Sequence, residues 1–292
     1  MKKFVISISI FIGVFIVALA AAYFYLTYKI RNNAVFKIKE NTSCIVMGSS
    51  HSACSVDDSL IDNLENFSRS GESYCYTYIK IKKLLENNPN VKTVLVELSN
   101  PFIYDDEEWL WSDKYIKFHY ITFSPFFTFE DNKILFEKHL KTFFKVYPFF
   151  IKDAAKKVLT KDYEYAYTNG GHLKRTNKMI YYEQPSHLNN TVMGINLKFL
   201  DKIVDCCNAR NVRLVFLRSP MHTDFIYWQN EDQFQQIKKD RYSEIEFLDY
   251  GRIFNTDEYF ADYQHLNQNG AEKFSKILAH DLDSIGALKV EN

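Results

Sequence analysis

The chain begins with a long apolar segment. Phe4 to Tyr28 form a run of 25 uncharged residues, preceded by two lysines and followed by Lys29 and Arg31. At about 1.5 Å per residue, such a helix spans roughly 37 Å, enough to cross a hydrocarbon core of about 30 Å. A cleaved signal peptide is the alternative, because Ala18 to Ala22 offer small residues for cleavage. Since the apolar run continues beyond those alanines and ends in tyrosines, we expect residues 1–31 to be an uncleaved membrane anchor.

From residue 43 onward, short apolar runs alternate with segments of helical periodicity. Continuous apolar runs of this length are typical of buried parallel strands, and their alternation with helices predicts a parallel sheet with helices on both faces. The predicted strands are Ser43–Met47, Val91–Leu98, Val212–Leu217 and Ile245–Tyr250, and the predicted helices are Glu72–Glu86, Leu197–Ala209 and Asn269–Leu282.

The alternation fails between about residues 101 and 190. This stretch is rich in phenylalanine, tyrosine and lysine, and it is too long for an ordinary connection. We therefore predict one α/β domain over residues 32–292, with a helical insertion at about 101–190 that lies over the carboxyl ends of the strands, where open α/β sheets carry their sites.

Composition narrows the function classes. Hydrophobic residues make up 47% of the chain, while glycine and proline number only 9 and 6, which excludes disordered and collagen-like classes. The 36 basic residues balance the 36 acidic ones, so there is no overall field to hold nucleic acid, and we expect no nucleic-acid partner. The five cysteines are odd in number and lack metal-site spacing, so they indicate neither compartment nor metal.

The charges that flank the apolar segment leave its orientation open. Lys29, Arg31, Lys37 and Lys39 outnumber the two lysines before the segment, which favours a cytoplasmic body. The form of the chain, a short basic tail followed by one span and a large domain, is typical of exported anchored domains. We expect the domain on the exported side, either periplasmic or extracellular, and keep the cytoplasmic orientation as the alternative.

Two polar segments could carry chemistry. Gly48-Ser49-Ser50-His51-Ser52 follows the first predicted strand, which puts Ser50 at the carboxyl edge of the sheet. Asp262 and His265 lie three residues apart before the last predicted helix. A carboxylate that fixes the tautomer of an imidazole is what a serine nucleophile requires. Each segment alone is also consistent with an ordinary helix start.

Together these segments resemble the SGNH (GDSL-like) hydrolase superfamily. Members carry a serine after the first strand in a G-D-S or G-S-S block and a D-x-x-H block before the last helix. The resemblance covers residues 43–100 and 190–283, includes the His-Leu-Asn-x-x-Gly continuation, and leaves the insertion unmatched. It implies a flavodoxin-like parallel sheet, with Ser50 as nucleophile, His265 as general base and Asp262 as its orienting partner.

The resemblance also implies the groups that hold the oxyanion. Ser70-Gly71-Glu72 matches the second block, whose glycine N–H is a donor. The third block normally presents an asparagine in a G-x-N-D setting, but this chain has Glu97-Leu98-Ser99-Asn100, so Asn100 is only the candidate. His222, after the predicted strand ending at Leu217, could bind substrate or merely cap the strand. His51 is expected to point away from the nucleophile.

The activity that the resemblance implies is acyl transfer through an acyl-serine, without metal or organic cofactor. Anchored members act on cell-envelope polymers, so we expect an esterase or O-acyltransferase that acts on an acylated saccharide or envelope polymer. A catalytically silent glycan-binding or accessory protein of an envelope assembly complex is the alternative, since the third block is irregular.

Overall fold

A computed structural model describes residues 2–104, 113–167, 170–188, 191–192 and 194–289. Contacts between residues divide the chain into two compact units. The first unit joins Met1–Val35 with Ile116–Tyr165, and the second joins Phe36–Tyr115 with Ala166–Asn292.

The second unit contains a five-stranded parallel sheet in the order β2-β1-β3-β4-β5. The strands are β1 (Cys44–Met47), β2 (Leu64–Asn66), β3 (Thr93–Glu97), β4 (Arg213–Arg218) and β5 (Glu246–Asp249). The predicted flavodoxin-like parallel sheet is confirmed. Sequence analysis missed β2, because a three-residue strand that includes Glu65 and Asn66 has no apolar run to reveal it.

Helices connect the strands. The second unit contains α2 (Ser50–Ser55), α3 (Tyr74–Asn87), α6 (Gly194–Asn208), α7 (Glu231–Tyr242) and α8 (Gln268–Ser284). Alternate strand residues face opposite sides of the sheet. Val46, Leu95 and Val215 form one buried cluster with Phe274 and Leu278 of α8, while α6 contacts β4 and packs on α3. These layers leave the carboxyl edge of the strands to the loops.

The first unit contains α1 (Lys2–Asn33), most of α4 (Asp113–Phe123) and α5 (Phe129–Thr160). Helix α5 starts with a capping box in which Thr128 and Asp131 satisfy each other's backbone N–H groups. Helix α1 is long and apolar enough to cross a membrane, a property that a membrane anchor and a signal sequence share.

The predicted insertion is helical only in part. Its helices are α4 and α5, whereas residues 170–188 form an extended segment without helix or strand. The parts of the insertion at 105–112, 168–169 and 189–190 lie outside the described residues. None of the five buried cysteines forms a disulfide within the chain.

Candidate active site

The turn between β1 and α2 places Ser50 at the carboxyl edge of the sheet. Ser49 is the N-cap of α2, and Ser50 is the first residue of that helix. A Cβ on Gly48 would lie 2.6 Å from the Cβ of Glu97 and 2.9 Å from Ser52 Oγ. The close approach of β1 to the end of β3 therefore requires glycine before the serine pair.

Glu97 ties the turn to its neighbours. Its buried carboxyl accepts a hydrogen bond from Ser52 Oγ and another from Ser219 Oγ at 2.6 Å. Burial raises the pKa of Glu97, and the hydroxyl donors offset this only in part. The carboxyl thus links α2 to the loop after β4 beneath Ser50.

Ser50, His265 and Asp262 form a hydrogen-bonded chain. Ser50 Oγ lies 2.8 Å from His265 Nε2, and His265 Nδ1 lies 2.9 Å from each carboxylate oxygen of Asp262. Partial burial alone would raise the pKa of Asp262. The pKa nevertheless lies below its ordinary value, because Asp262 accepts a hydrogen bond from His265 and lies near the charge of that residue. The backbone N–H of Gln264 and the charge of Arg175 lower it further. An ionised Asp262 favours the tautomer in which Nδ1 carries the proton and Nε2 can accept one.

The residues after His265 fix the loop that carries it. Leu266 is buried in the core, and Asn267 caps α8 by accepting a hydrogen bond from the Gly270 N–H at 2.9 Å. A side chain on Gly270 would collide with the Tyr259 carbonyl oxygen. In the His-Leu-Asn-x-x-Gly pattern, the leucine is thus a core residue, the asparagine caps the helix, and the glycine allows a close backbone contact.

Gly71 lies on a loop that runs beside the nucleophile turn. The Arg69 N–H donates to the Gly48 carbonyl at 3.0 Å, which extends the pairing of β2 with β1 beyond the strands. Gly71 has φ of +69°, and a side chain there would collide with the Tyr115 ring. Among the described residues, the Gly71 N–H has no hydrogen-bond partner, and the oxyanion role of Gly71 stays a prediction.

Asn100 is engaged elsewhere. Its Nδ2 donates to Glu231 Oε2 at 3.1 Å and to the Tyr227 carbonyl at 3.3 Å, and its Oδ1 accepts from the Arg218 guanidinium at 3.0 Å. Arg218 also pairs with Asp249 and Glu231. The predicted oxyanion role of Asn100 has no support in this arrangement, because the buried guanidinium and carboxylate hold both ends of its amide.

His222 is also held by the protein. Its Nε2 lies 2.8 Å from Asp257 Oδ1, and its Nδ1 accepts the Asp224 N–H at 3.1 Å. The ring is buried edge-on against Tyr263 at 5.6 Å, and the His222 N–H donates to the Tyr263 carbonyl. With both ring nitrogens occupied, His222 supports the loop of Asp262 and His265 and offers substrate no nitrogen.

His51 does not point away from the site. Its buried ring packs edge-on against the His265 ring at 5.4 Å and against Phe102 at 5.2 Å, and its Nε2 lies 3.5 Å from Gln264 Oε1. Burial, followed by the charge of His265, lowers the pKa of His51 to about 3. The general base is therefore flanked by a neutral imidazole.

The extended segment 170–188 joins the loops around this edge. It was predicted only as part of the helical insertion over the carboxyl ends of the strands, because it has neither apolar periodicity nor a motif of its own. Its backbone N–H groups donate to two loops and to helix α2, in the pairs Gly171 with Ser68, Ile180 with Ala261, and Leu173 with Ala53. The segment thus connects the β2 loop, α2 and the loop of the catalytic candidates.

Comparisons with known proteins give similarities at the level of the fold. A protein-family model matches residues 174–286. No curated protein matches the chain in sequence.

In the part of the chain that the structure describes, no group of three or more His, Cys, Asp or Glu side chains is arranged to hold a metal ion.

Three solved structures are similar along most of their length. A proposed acylhydrolase from Bacteroides fragilis NCTC 9343 has a TM-score of 0.41 at 9% identity, covering 89% of this chain and 95% of its own. A proposed platelet activating factor from Streptococcus pneumonia has a TM-score of 0.42 at 13% identity, covering 94% and 99%. A GDSL-like lipase from Bacteroides thetaiotaomicron VPI-5482 has a TM-score of 0.40 at 7% identity, covering 91% and 99%.

The parallel strand order, the serine directly after β1 and the Asp-x-x-His block before the last helix occur together in this chain. This is the arrangement that the resemblance to the SGNH (GDSL-like) hydrolases implies.

Proposed function

We propose that this protein is a serine esterase or O-acyltransferase that works through an acyl-serine intermediate. The observation that carries the proposal is the 2.8 Å distance between Ser50 Oγ and His265 Nε2, with His265 Nδ1 held by Asp262 at 2.9 Å. This distance lies within the range of about 2.6 to 3.2 Å that proton transfer to a general base requires.

The proposed reaction has two halves. His265 Nε2 takes the Ser50 proton while Oγ attacks the ester carbon, and the new C–O bond leaves a negative oxygen. When the intermediate collapses, the leaving alcohol takes the proton from His265. Water or a second alcohol then gives its proton to His265 and attacks the acyl-serine, and Ser50 Oγ takes that proton from His265 as its bond to the acyl carbon breaks. Asp262 stays ionised throughout and stabilises the imidazolium.

The oxyanion is held by backbone donors in this proposal. The Ser50 N–H in the first turn of α2 and the unoccupied Gly71 N–H lie on adjoining loops, which the bond from Arg69 to Gly48 keeps together. One such donor is worth about 3 to 4 kcal/mol in the transition state. Since Asn100 is engaged elsewhere, the site works with two donors of this kind.

The proposal also covers the substrate and the side of the membrane on which the domain lies. We infer an acylated saccharide or other envelope polymer as substrate, because SGNH-type members with a single N-terminal span act on such polymers. Helix α1 would anchor the enzyme, with its domain on the exported side and with other envelope proteins as partners. A reporter fused after residue 292 distinguishes this orientation from the cytoplasmic one.

The test is labelling of the full chain in detergent with a fluorophosphonate. We expect Ser50 to be labelled, Ser50→Ala to abolish the label, and His265→Ala to slow labelling at least about a hundredfold, the lower range for loss of a general base. His280→Ala is the matched control, since its side chain is 81% exposed on α8. Labelling of Ser50→Ala at the wild-type rate, or a folded wild type that is not labelled, would refute the proposal.

A second candidate is a catalytically silent glycan-binding or accessory protein of an envelope assembly complex. The engagement of Asn100 by Arg218 and Glu231 favours it, because the site then lacks the side-chain oxyanion donor of the family. A folded chain that stays unlabelled but binds saccharide would support this candidate over the enzyme.

A further inference from the structure

Two exposed tyrosines pack against a partly buried one, Tyr263, beside the catalytic candidates. Tyr181 is 60% exposed and Tyr182 is 39% exposed. Both rings stand edge-on to the Tyr263 ring, with centroids 6.1 and 5.1 Å away. We call Tyr181, Tyr182 and Tyr263 the tyrosine platform.

The platform adjoins the catalytic loop. Tyr263 lies between Asp262 and His265 in sequence. Gln264 Nε2 donates to the Tyr182 hydroxyl at 2.8 Å, and Gln264 Oε1 lies 3.5 Å from Nε2 of His51, whose ring contacts His265. The rings are therefore linked to His265, the partner of Ser50, through the side chains of Gln264 and His51.

The rings are fixed before any ligand arrives. The Ile180 N–H donates to the Ala261 carbonyl at 2.8 Å, and the Tyr181 hydroxyl donates to Asp257. Further along the segment, the Gln184 side chain bonds the Asp224 carbonyl at 2.9 Å and the Ile226 N–H at 2.8 Å. The two tyrosine hydroxyls thus have protein partners, while 60% of Tyr181 and 39% of Tyr182 stay exposed.

The carboxylates beside the tyrosine platform favour neutral ligands with hydroxyl groups over anionic ones. The carboxylates of Asp257 and Asp224 stand at the platform with side chains 53% and 76% exposed. Carboxylates accept hydrogen bonds from hydroxyl groups and repel anions. A flat ring with C–H faces and hydroxyl edges matches aromatic faces bordered by acceptors, whereas an anionic polymer does not.

We propose that the tyrosine platform is a subsite for a neutral sugar ring of the substrate. One pyranose stacks on Tyr181 and Tyr182, its hydroxyls donate to Asp257 and Asp224, and the acylated position of a neighbouring unit reaches Ser50. This proposal rests on the proposed function for its biological meaning, but saccharide binding is measured separately from catalysis.

The test measures binding to the full-length Ser50→Ala chain in detergent by titration calorimetry. The probes are two neutral tetrasaccharides, cellotetraose and chitotetraose, and the anionic tetragalacturonate. We expect a neutral tetrasaccharide to bind, with Tyr181→Ala and Tyr182→Ala each weakening it about five- to tenfold, the effect of losing one aromatic contact. Tyr182→Phe keeps the ring and should restore most of the affinity.

Tyr78→Ala is the matched control, because that tyrosine packs against Phe199 between α3 and α6 and should bind as the parent does. The proposal is overturned if neither neutral tetrasaccharide binds, if tetragalacturonate binds more tightly, or if the alanine variants at the platform match the control. Fluorophosphonate labelling of the wild type is independent of these outcomes, so a labelled protein that binds no saccharide refutes the platform and leaves the proposed acyl-serine chemistry standing.

Discussion

The buried imidazole of His51 makes the stability of the fold depend on pH. An exposed histidine has a pKa near 6.5, whereas burial, followed by the charge of His265, lowers the pKa of His51 to about 3. As the pH falls below 6.5, the unfolded chain binds a proton at this residue and the folded chain does not. The unfolded state then holds more protons, so the free energy of unfolding falls with the pH until the folded pKa is reached.

The magnitude follows from these two values. Each pH unit below the unfolded pKa costs about 1.36 kcal/mol while the folded ring stays neutral, so lowering the pH from 7 to 5 costs about 2 kcal/mol. Any folded pKa below about 4 gives the same loss over this interval, because the folded ring is then neutral at pH 5.

The assay compares urea unfolding of the wild type and His51→Gln at pH 7 and pH 5, with the full chains in the same detergent. Glutamine keeps a polar group near Gln264 but does not titrate. We expect the wild type to lose about 2 kcal/mol more stability than the variant over this interval. Titrating groups that do not contact His51 are common to both chains and cancel in the comparison.

His280→Gln is the control, since that histidine is exposed and its removal should leave the pH dependence of the wild type. Equal losses of stability in the wild type and His51→Gln between pH 7 and pH 5 would refute the reasoning, whatever the effect of the substitution at pH 7.

Two further predictions concern residues near the site. Gly48→Ala should lower the free energy of unfolding by about 1 to 3 kcal/mol, because its Cβ would press on Glu97. Thermal melting measures this loss, and Gly194→Ala is the control, since a Cβ there meets nothing within 4 Å. An equal loss in the control would contradict the packing argument. Asn100→Ala should lower the free energy of unfolding by about 2 kcal/mol, since its buried partners lose their hydrogen bonds. The rate of fluorophosphonate labelling of the folded variant should change less than about threefold. A fall in that rate of about 10² or more would instead indicate that Asn100 is an oxyanion donor.

Features encoded by local patterns could be predicted from the sequence. The strands β1, β3 and β4 are short apolar runs, and Ser50 follows β1 directly, so its place at the carboxyl edge of the sheet follows from chain order. Asp262 and His265 are only three residues apart, and their contact is formed within one turn. The meeting of these two distant segments was implied by the resemblance to the SGNH hydrolases and by neither segment alone.

Features that depend on distant partners could not be predicted. The direction of His51 is set by packing against Phe102 and His265, from two other loops. The extended segment 170–188 is held by single backbone bonds to two loops and to helix α2 and by side-chain bonds such as those of Gln184, and no periodicity in the sequence predicts such contacts. Helix α7 was missed because its residues are mostly polar, with only Phe234 and Tyr242 buried.

Asn100 shows how a buried charge can redirect a residue of the site. The Arg218 guanidinium is almost fully buried, so each of its donors needs an acceptor, and the Asn100 carbonyl supplies one beside Glu231 and Asp249. The amide nitrogen of Asn100 then donates to Glu231 and to the Tyr227 carbonyl.

A site with two backbone donors gains more from substrate binding remote from the reacting carbon than a site with three does. Remote binding energy can hold an ester in the attacking geometry at Ser50 and so offset part of the missing stabilisation. A sugar ring on the tyrosine platform would supply that energy next to His265, whereas a small ester has no group to place there. The proposed two-donor site and the proposed platform are therefore consistent with the same proposed substrate, an acylated saccharide rather than a small free ester.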